Sequence, residues 1–218
     1  MVIAIDGPAG TGKSTVAKEL ALKIGFKYVD SGALYRAVSL AVLEQNVDVN
    51  KEDEVSRTFR DMDISQEFIN GKVFVFCNDK DISEKIRTTE VDKIVSIVAK
   101  QSGVRYHVTA LLHVWGASGN IVIEGRDIGT YVFPDADYKF YLDASPRVRS
   151  ERRYNEFLQK GFSGTLDEIE KQIIERDKID QNRELAPLKP AKDAIIIDTT
   201  TLSIQDVVGR MASFIGRD

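Results

Sequence analysis

The octapeptide Gly7-Pro8-Ala9-Gly10-Thr11-Gly12-Lys13-Ser14 constrains this chain more than any other stretch. It follows the apolar run Val2-Ile3-Ala4-Ile5, precedes a helical pattern, and fits G-x-x-x-x-G-K-[ST]. Glycines let the backbone turn tightly and approach anionic oxygens with no Cβ in the way. Successive N–H groups then converge on one concavity, and the next helix adds the positive end of its dipole. Gly7, Pro8, Ala9, Gly10, Thr11, Gly12, Lys13, Ser14 and Thr15 are therefore the expected phosphate-binding residues. Lys13 can bridge β- and γ-phosphates, and the Ser14 hydroxyl can ligate Mg²⁺. The motif points to a nucleoside triphosphate and leaves the acceptor open.

Such a loop requires a strand before it and a helix after it, and the rest of the chain alternates in kind. Val16, Leu20 and Ile24 predict a helix over about 13–24, stopped by Gly25. Helices are also expected over about 32–45, 51–61, 90–101, 104–116 and 166–178, with others opening at Pro146 and after a Ser203/Asp206 capping pair. Buried strands are expected at about 2–5, 27–29, 120–124, 138–142 and 194–198. Short apolar strands between helices form a parallel sheet covered on both faces, so the expected class is α/β. The run 64–69, Asn70-Gly71, 72–77 reads instead as a β-hairpin with a type I′ turn, an antiparallel insert.

Composition limits the alternatives. The chain has 218 residues, 43% of them apolar, enough for one substantial core. Its 30 basic and 34 acidic residues give a net charge of −4. That balance, with no aromatic-basic platform, argues against a nucleic-acid binder. Cys77 is the single cysteine and reads as a strand residue, so no intrachain disulfide forms and a reducing, cytoplasmic setting is expected. No apolar run reaches about 18 residues, so no membrane span is expected, and the N-terminus does not resemble a signal peptide. No large exposed apolar stripe stands out, and a monomer is expected. The only string near a guanine-reading N-K-x-D is Asn78-Asp79-Lys80-Asp81, out of order and after a hairpin strand, which disfavours a GTPase-like switch.

Several polar clusters fall where strands give way to helices, the edge at which open α/β sheets bind ligands. Asp30-Ser31-Gly32-Ala33-Leu34-Tyr35-Arg36 makes Ser31, Tyr35 and Arg36 candidates for the acceptor side, although Arg36 is equally readable as a solvated helix arginine. Gly125-Arg126-Asp127-Ile128-Gly129 is either a site loop or a turn salt bridge. Arg147, Arg149, Arg152 and Arg153 crowd one helix and favour phosphate contact. Lys160-Gly161-Phe162-Ser163-Gly164-Thr165 breaks the helical pattern as a moving lid would. Ser96 lies among Ile94, Val95, Ile97 and Val98, as a core hydroxyl or a specificity contact. His107, His113 and Trp115 have no carboxylate or Cys at ligand spacing and read as surface or packing residues.

Taken together, Ile5-Asp6-Gly7-Pro8…Gly12-Lys13-Ser14, Asp30 through Arg36, Ile86-Arg87, Gly125 through Thr130, and Glu175-Arg176-Asp177…Asp180…Arg183…Ala186-Pro187-Leu188 resemble the bacterial cytidylate kinases, a nucleoside monophosphate kinase family. The resemblance runs nearly end to end. It implies a single P-loop kinase domain over 1–218 with a five-stranded parallel sheet. It also implies an inserted monophosphate-binding lobe over about 31–115 (small β insert about 63–83) and a lid over about 152–168. By position it gives Ser96, Arg105 and Asp127 the cytosine, Arg176 and Asp180 the sugar, and Arg36, Arg126 and Arg183 the acceptor phosphate. Lys13, Arg152 and Arg153 would stabilise the transferring phosphoryl, with Arg149 a weaker candidate. The implied reaction moves the γ-phosphoryl of ATP to CMP or dCMP with Mg²⁺. A kinase of the same fold acting on UMP or dTMP is the nearest alternative.

Overall fold

A computed structural model describes residues 1–158 and 164–216. The break predicted at 160–165 lies largely outside the described residues. A central sheet is built from β1 (Val2–Asp6), β2 (Lys27–Asp30), β6 (Ile121–Glu124), β7 (Tyr138–Asp143) and β8 (Ile195–Asp198) in the order β2-β6-β1-β7-β8. Every pairing in it is parallel. These are the five strands expected from the apolar runs.

The strands alternate their side chains between two cores. Ile3, Ile5 and Val122 face α1 (Lys13–Ile24) and α8 (Ile204–Phe214), packing on Val16, Leu20, Val207 and Met211. Ala4, Ile121 and Ile123 face the opposite way and pack with residues of α2 (Ser31–Glu44), α4 (Thr89–Val98) and α5 (Ser102–Ala117). Two-sided burial explains why these strands read as unbroken apolar runs. The remaining helices are α3 (Glu52–Arg60), α6 (Pro146–Leu158) and α7 (Leu166–Gln181).

Between α3 and α4 lies a separate antiparallel sheet of β3 (Ile64–Ile69), β4 (Lys72–Cys77) and β5 (Lys80–Asp81). Asn70 and Gly71 both have positive φ, 51° and 77°, as a type I′ turn requires. The third strand was not expected. Asn78 and Asp79, also at positive φ, turn the chain a second time, so the Asn78–Asp81 string is a hairpin corner.

This insert is fastened to the edge of the main sheet. β2 is an outer strand, with free backbone groups along one side. The Gln66 side chain fills that role of a neighbour: its Oε1 accepts from Asp30 N at 3.0 Å and its Nε2 donates to Asp30 O at 2.7 Å. Phe68 lies 5.4 Å from Tyr28, ring centre to ring centre. The clamp therefore fixes Asp30, whose carboxylate caps α2 by accepting from Ala33 N at 3.0 Å. Gln66→Leu would leave Asp30 N unpaired and take one of two donors from Asp30 O, which as the α2 N-cap keeps its helical bond, and is expected to cost about 1–3 kcal/mol of stability. Urea unfolding measures it, and an unmoved midpoint would show that the clamp carries no weight.

Candidate active site

All five parallel strands end in an acid, Asp6, Asp30, Glu124, Asp143 and Asp198, and the phosphate loop follows the first of them. Gly7 has φ +147°, and a Cβ there would lie 2.1 Å from Leu142 O; at Gly10, with φ +79°, it would lie 2.7 Å from Arg149 O. The loop is thus pressed against β7 and α6, and glycine is required by space as well as by conformation. Lys13 is buried and donates to Pro8 O at 2.7 Å and Thr11 Oγ1 at 3.4 Å. Burial, reinforced by Arg126, pulls its pKa down to about 7 against the pull of Glu124.

The loop is held from outside by α6 and α7. Asp177 accepts from Ala9 N at 3.2 Å, while Arg149 donates to Ala9 O at 3.0 Å and to the Asp177 carboxylate. Arg149 also donates through Nε to Ala144 O at 3.1 Å, so its Nε and Nη1 brace the loop between β7 and α7. Arg152 donates to Thr199 O at 2.6 Å and to Thr11 O at 3.4 Å, beside a cavity of about 510 Å³ whose walls include Gly10, Thr15, Leu202 and Val207. Arg147 points elsewhere: it is exposed and pairs with Glu151, Asp167 and Glu170, so the phosphate contact expected of the whole arginine helix does not extend to it.

At the mouth of the loop, Ser14 donates to Glu124 Oε1, which also accepts from Tyr28 OH at 2.9 Å. Asp6 grips the neighbouring loop with both oxygens, accepting from Ile128 N and Gly129 N at 2.8 Å each. Burial outweighs these bonds and pushes the Asp6 carboxyl up to about 7. The gripped loop carries Arg126 and Asp127 and continues into a π-helical turn, Ile128–Val132.

At the start of α2, Ser31 donates to Glu124 O at 2.6 Å, and Tyr35 is buried one turn later. Arg105, fully buried, pairs with Asp127 and lies between the rings of Tyr35 and Tyr131, at 5.7 and 5.4 Å. Burial holds Asp127 above the usual carboxylate range in spite of Arg105. Ser96 is buried on α4. Arg126 and Arg183 converge on Asp180, and the Nε atoms of Arg105, Arg176 and Arg183 are enclosed without a hydrogen-bond partner. Arg36 reaches Asp92 at 2.6 Å and Ile86 O at 3.3 Å, so it is no solvated helix arginine. The structure thus joins Arg105 to Asp127 beside Tyr35, and Arg126 and Arg183 to Asp180, while Lys13 and Arg152 belong to the phosphate-loop side. His107 stacks on Phe59, and His113 Nε2 lies 2.6 Å from Val132 O, both packing arrangements.

An uncharacterised protein of Eubacterium ventriosum (TM-score 0.52, 11% identity, 100% of this chain and 99% of that one) and TT1252 of Thermus thermophilus (TM-score 0.51, 18% identity, 99% and 95%) share this fold. The family model described as Cytidylate kinase matches residues 3–217. The chain belongs to the cytidylate kinase family. The cytidylate kinase of Clostridioides difficile is 48% identical over 98% of this chain and 97% of its own. That of Bacillus cytotoxicus is 46% identical over 98% and 95%.

For a cytidylate kinase family chain, sequence reasoning gave no role to Asp6, Glu124, Asp92 or Asp177, although Asp6 and Asp177 lie in segments that carry the resemblance. A signal existed for the first two, since an acid ending a fully apolar strand lies on the sheet's ligand-binding edge. The contacts of Asp177 could not be read from its segment, because its partners Ala9 and Arg149 are remote in sequence. Asp177→Ala strands the buried Arg149 cation and is expected to lower stability by about 3–5 kcal/mol. Asp177→Asn, which keeps an acceptor for Ala9 N, should lose less. Denaturant titration of both decides it: equal losses would assign the whole effect to the lost charge, and an asparagine variant as stable as the parent would refute a role for the charge.

Proposed function

We propose that this chain transfers the γ-phosphoryl of ATP to CMP or dCMP, giving ADP and CDP or dCDP. The carrying observation is that the two anion-handling groups abut: Asp6, which leads into the phosphate loop, holds the backbone of the loop that bears Arg126, and Ser14 and Ser31 meet on Glu124. A phosphoryl group held at Lys13 would therefore lie beside arginines suited to a second phosphate.

In this reading the loop Gly7 to Thr15 cradles the ATP phosphates and the cavity bounded by Arg152 and Leu202 takes the donor base. Arg36, Arg126 and Arg183 hold the acceptor phosphate. Arg176 and Asp180 hold the sugar, beside Ser31 and Tyr35. Asp127, oriented by Arg105, accepts from the exocyclic amine of cytosine, with Ser96 nearby. Uracil presents a carbonyl at that position, so a carboxylate disfavours UMP. The acceptor phosphate is mostly dianionic at neutral pH and attacks without a general base. One of its oxygens bonds to the γ-phosphorus as the bond to the ADP oxygen breaks. Catalysis is then positioning and charge neutralisation by Lys13, Arg152 and Arg153. Closure of a lid over about 152–168 would exclude water, the competing acceptor.

The site suits Mg²⁺. Ser14, an exposed residue, and the Glu124 carboxylate beside it are hard-oxygen groups that would hold the ion, and Glu124 orients Ser14 by accepting from its hydroxyl. Bound there, the ion would neutralise charge on the β- and γ-phosphates. Among the described residues no helix is long and apolar enough to cross a membrane. We place the protein in the cytoplasm, with its nucleotide substrates, as a monomer.

A coupled ADP-release assay with Mg-ATP and CMP, dCMP, UMP, AMP or dTMP tests the reading. CMP and dCMP should lead, whereas equal use of UMP would remove the roles given to Asp127, Arg105 and Ser96. A second expectation concerns protons. Triphosphate favours the charged form of Lys13, so Mg-ATP binding near pH 7.5 should take up a fraction of a proton. Calorimetry in buffers of different ionisation enthalpy reads this uptake, which Lys13→Arg should abolish. A buffer-independent heat for the parent protein would contradict it.

A further inference from the structure

Asp92 belongs to neither anion site as described, yet it holds two of the cations. It lies in the first turn of α4, where an acid is ordinarily explained by the helix dipole. Glu90, in the same turn, is exposed and pairs locally with Thr89. Asp92 differs because it reaches out of its helix. Its Oδ1 accepts from Arg36 Nη2, on α2, at 2.6 Å, and its Oδ2 accepts from Arg153 Nη2, on α6, at 3.2 Å. One carboxylate thus bridges a cation of the acceptor lobe and a cation of the lid helix.

We propose that Asp92 is an internal stand-in for the acceptor phosphate, occupying guanidinium donors that the substrate's phosphate must win. This rests on the reading of Arg36 and Arg153 as phosphate-handling groups. Carboxylate and phosphate both present paired oxygens to the guanidinium fork, so the same donors serve either anion. The direction of exchange follows from charge. A phosphate monoester is mostly dianionic at neutral pH, the carboxylate carries one charge, and at close quarters the two anions repel. The Arg153–Asp92 contact is the weaker link, longer and with side chains 29% and 20% exposed, so it is the one to yield. Arg36 can hold Asp92 at one nitrogen and still offer unused N–H groups.

The stand-in has a second consequence. Arg36, Arg153 and Arg176 are cations gathered around Asp92. Burial pushes its carboxyl up, yet Arg36 and Arg153 outweigh burial and hold it below the usual carboxylate range. Before any phosphate arrives, this charge offsets the mutual repulsion of the arginines. Removing it should therefore weaken the ligand-free fold and strengthen phosphate binding at once. A residue of merely structural importance would weaken both.

The test compares the parent protein with Asp92→Asn, which keeps the shape and removes the charge. Binding of CMP, cytidine and inorganic phosphate is measured by calorimetry without ATP, together with the ligand-free melting temperature. The expected result is CMP binding tighter by roughly three- to tenfold, the scale of one partly exposed charge contact. Inorganic phosphate should shift the same way, cytidine should not change, and the melting temperature should fall. Steady-state kinetics should show the KM for CMP lowered and that for ATP unmoved, and Asp92→Glu should restore parental values. If the asparagine variant does not fold, Asp92→Ser carries the same expectation. Unchanged or weaker CMP binding, or an equal change with cytidine, overturns the proposal and leaves the acceptor site standing. If the parent protein binds no CMP, the acceptor reading falls and this proposal with it.

Discussion

Five parallel strands end in carboxylates along one edge of the sheet, and the placement of the surrounding loops depends on that row. Asp6 grips the backbone of the Arg126–Gly129 loop, and Asp30 caps α2 and pairs with Arg87 at 2.7 Å. Glu124 collects Ser14 and Tyr28, while Asp143 O and Asp198 Oδ1 receive the turn carrying Thr199 and Thr200. The register brings Asp30 level with Glu124, and Asp143 level with Asp198. Asp6, Asp30 and Glu124 are buried, and a buried carboxylate is costly unless donors converge on it, so each of these three draws its loop into one arrangement, whereas Asp143 and Asp198 are exposed. The sheet thus fixes backbone positions at its edge more tightly than packing alone would.

The phosphate loop shows the same logic from its other side. Ala9 is the only loop residue whose N–H and C=O are both held by buried side chains among the described hydrogen bonds, through Asp177 and Arg149. Those two sit on α7 and α6, the helices that flank the predicted lid. Motion of these helices therefore reaches the loop through hydrogen bonds rather than through soft apolar contact. Arginine suits the position because its fork can serve Ala9 O, Ala144 O and a carboxylate together.

How much of this was legible in the sequence varied with the range of the interactions. The phosphate loop and the strands were plain, since both are local patterns, and the Asn70-Gly71 turn followed from its residue pair. β5 was missed because two residues carry no period, and the turn before it needs positive φ at Asn78 and Asp79, which their types permit without requiring. The four arginines of α6 looked alike in sequence. Only the fold separates Arg147 on the surface, Arg149 under the loop, Arg152 beside Thr199 and Arg153 across from Asp92. The pairing of Arg105 with Asp127 was likewise out of reach of spacing. The family resemblance grouped the two as base-reading residues, while their contact is tertiary.

A chain of net charge −4 that gathers anions must solve a local problem its overall charge hides. Its acids are distributed so that, among the described residues, Arg105 and Arg183 each keep one donor paired and another unspent. Asp180 takes Arg126 and Arg183 while Nε of Arg183 remains without a partner, and Asp127 takes Arg105 while Nε of Arg105 does the same. Full neutralisation would leave nothing to attract a phosphate. No neutralisation would leave buried cations facing one another, as the lowering of Arg176 to about 10, by burial and then by Arg126, already shows. Partial pairing sets the side chains in position before the ligand arrives and reserves donors for it, which is how an acidic protein can hold a preorganised cationic cleft.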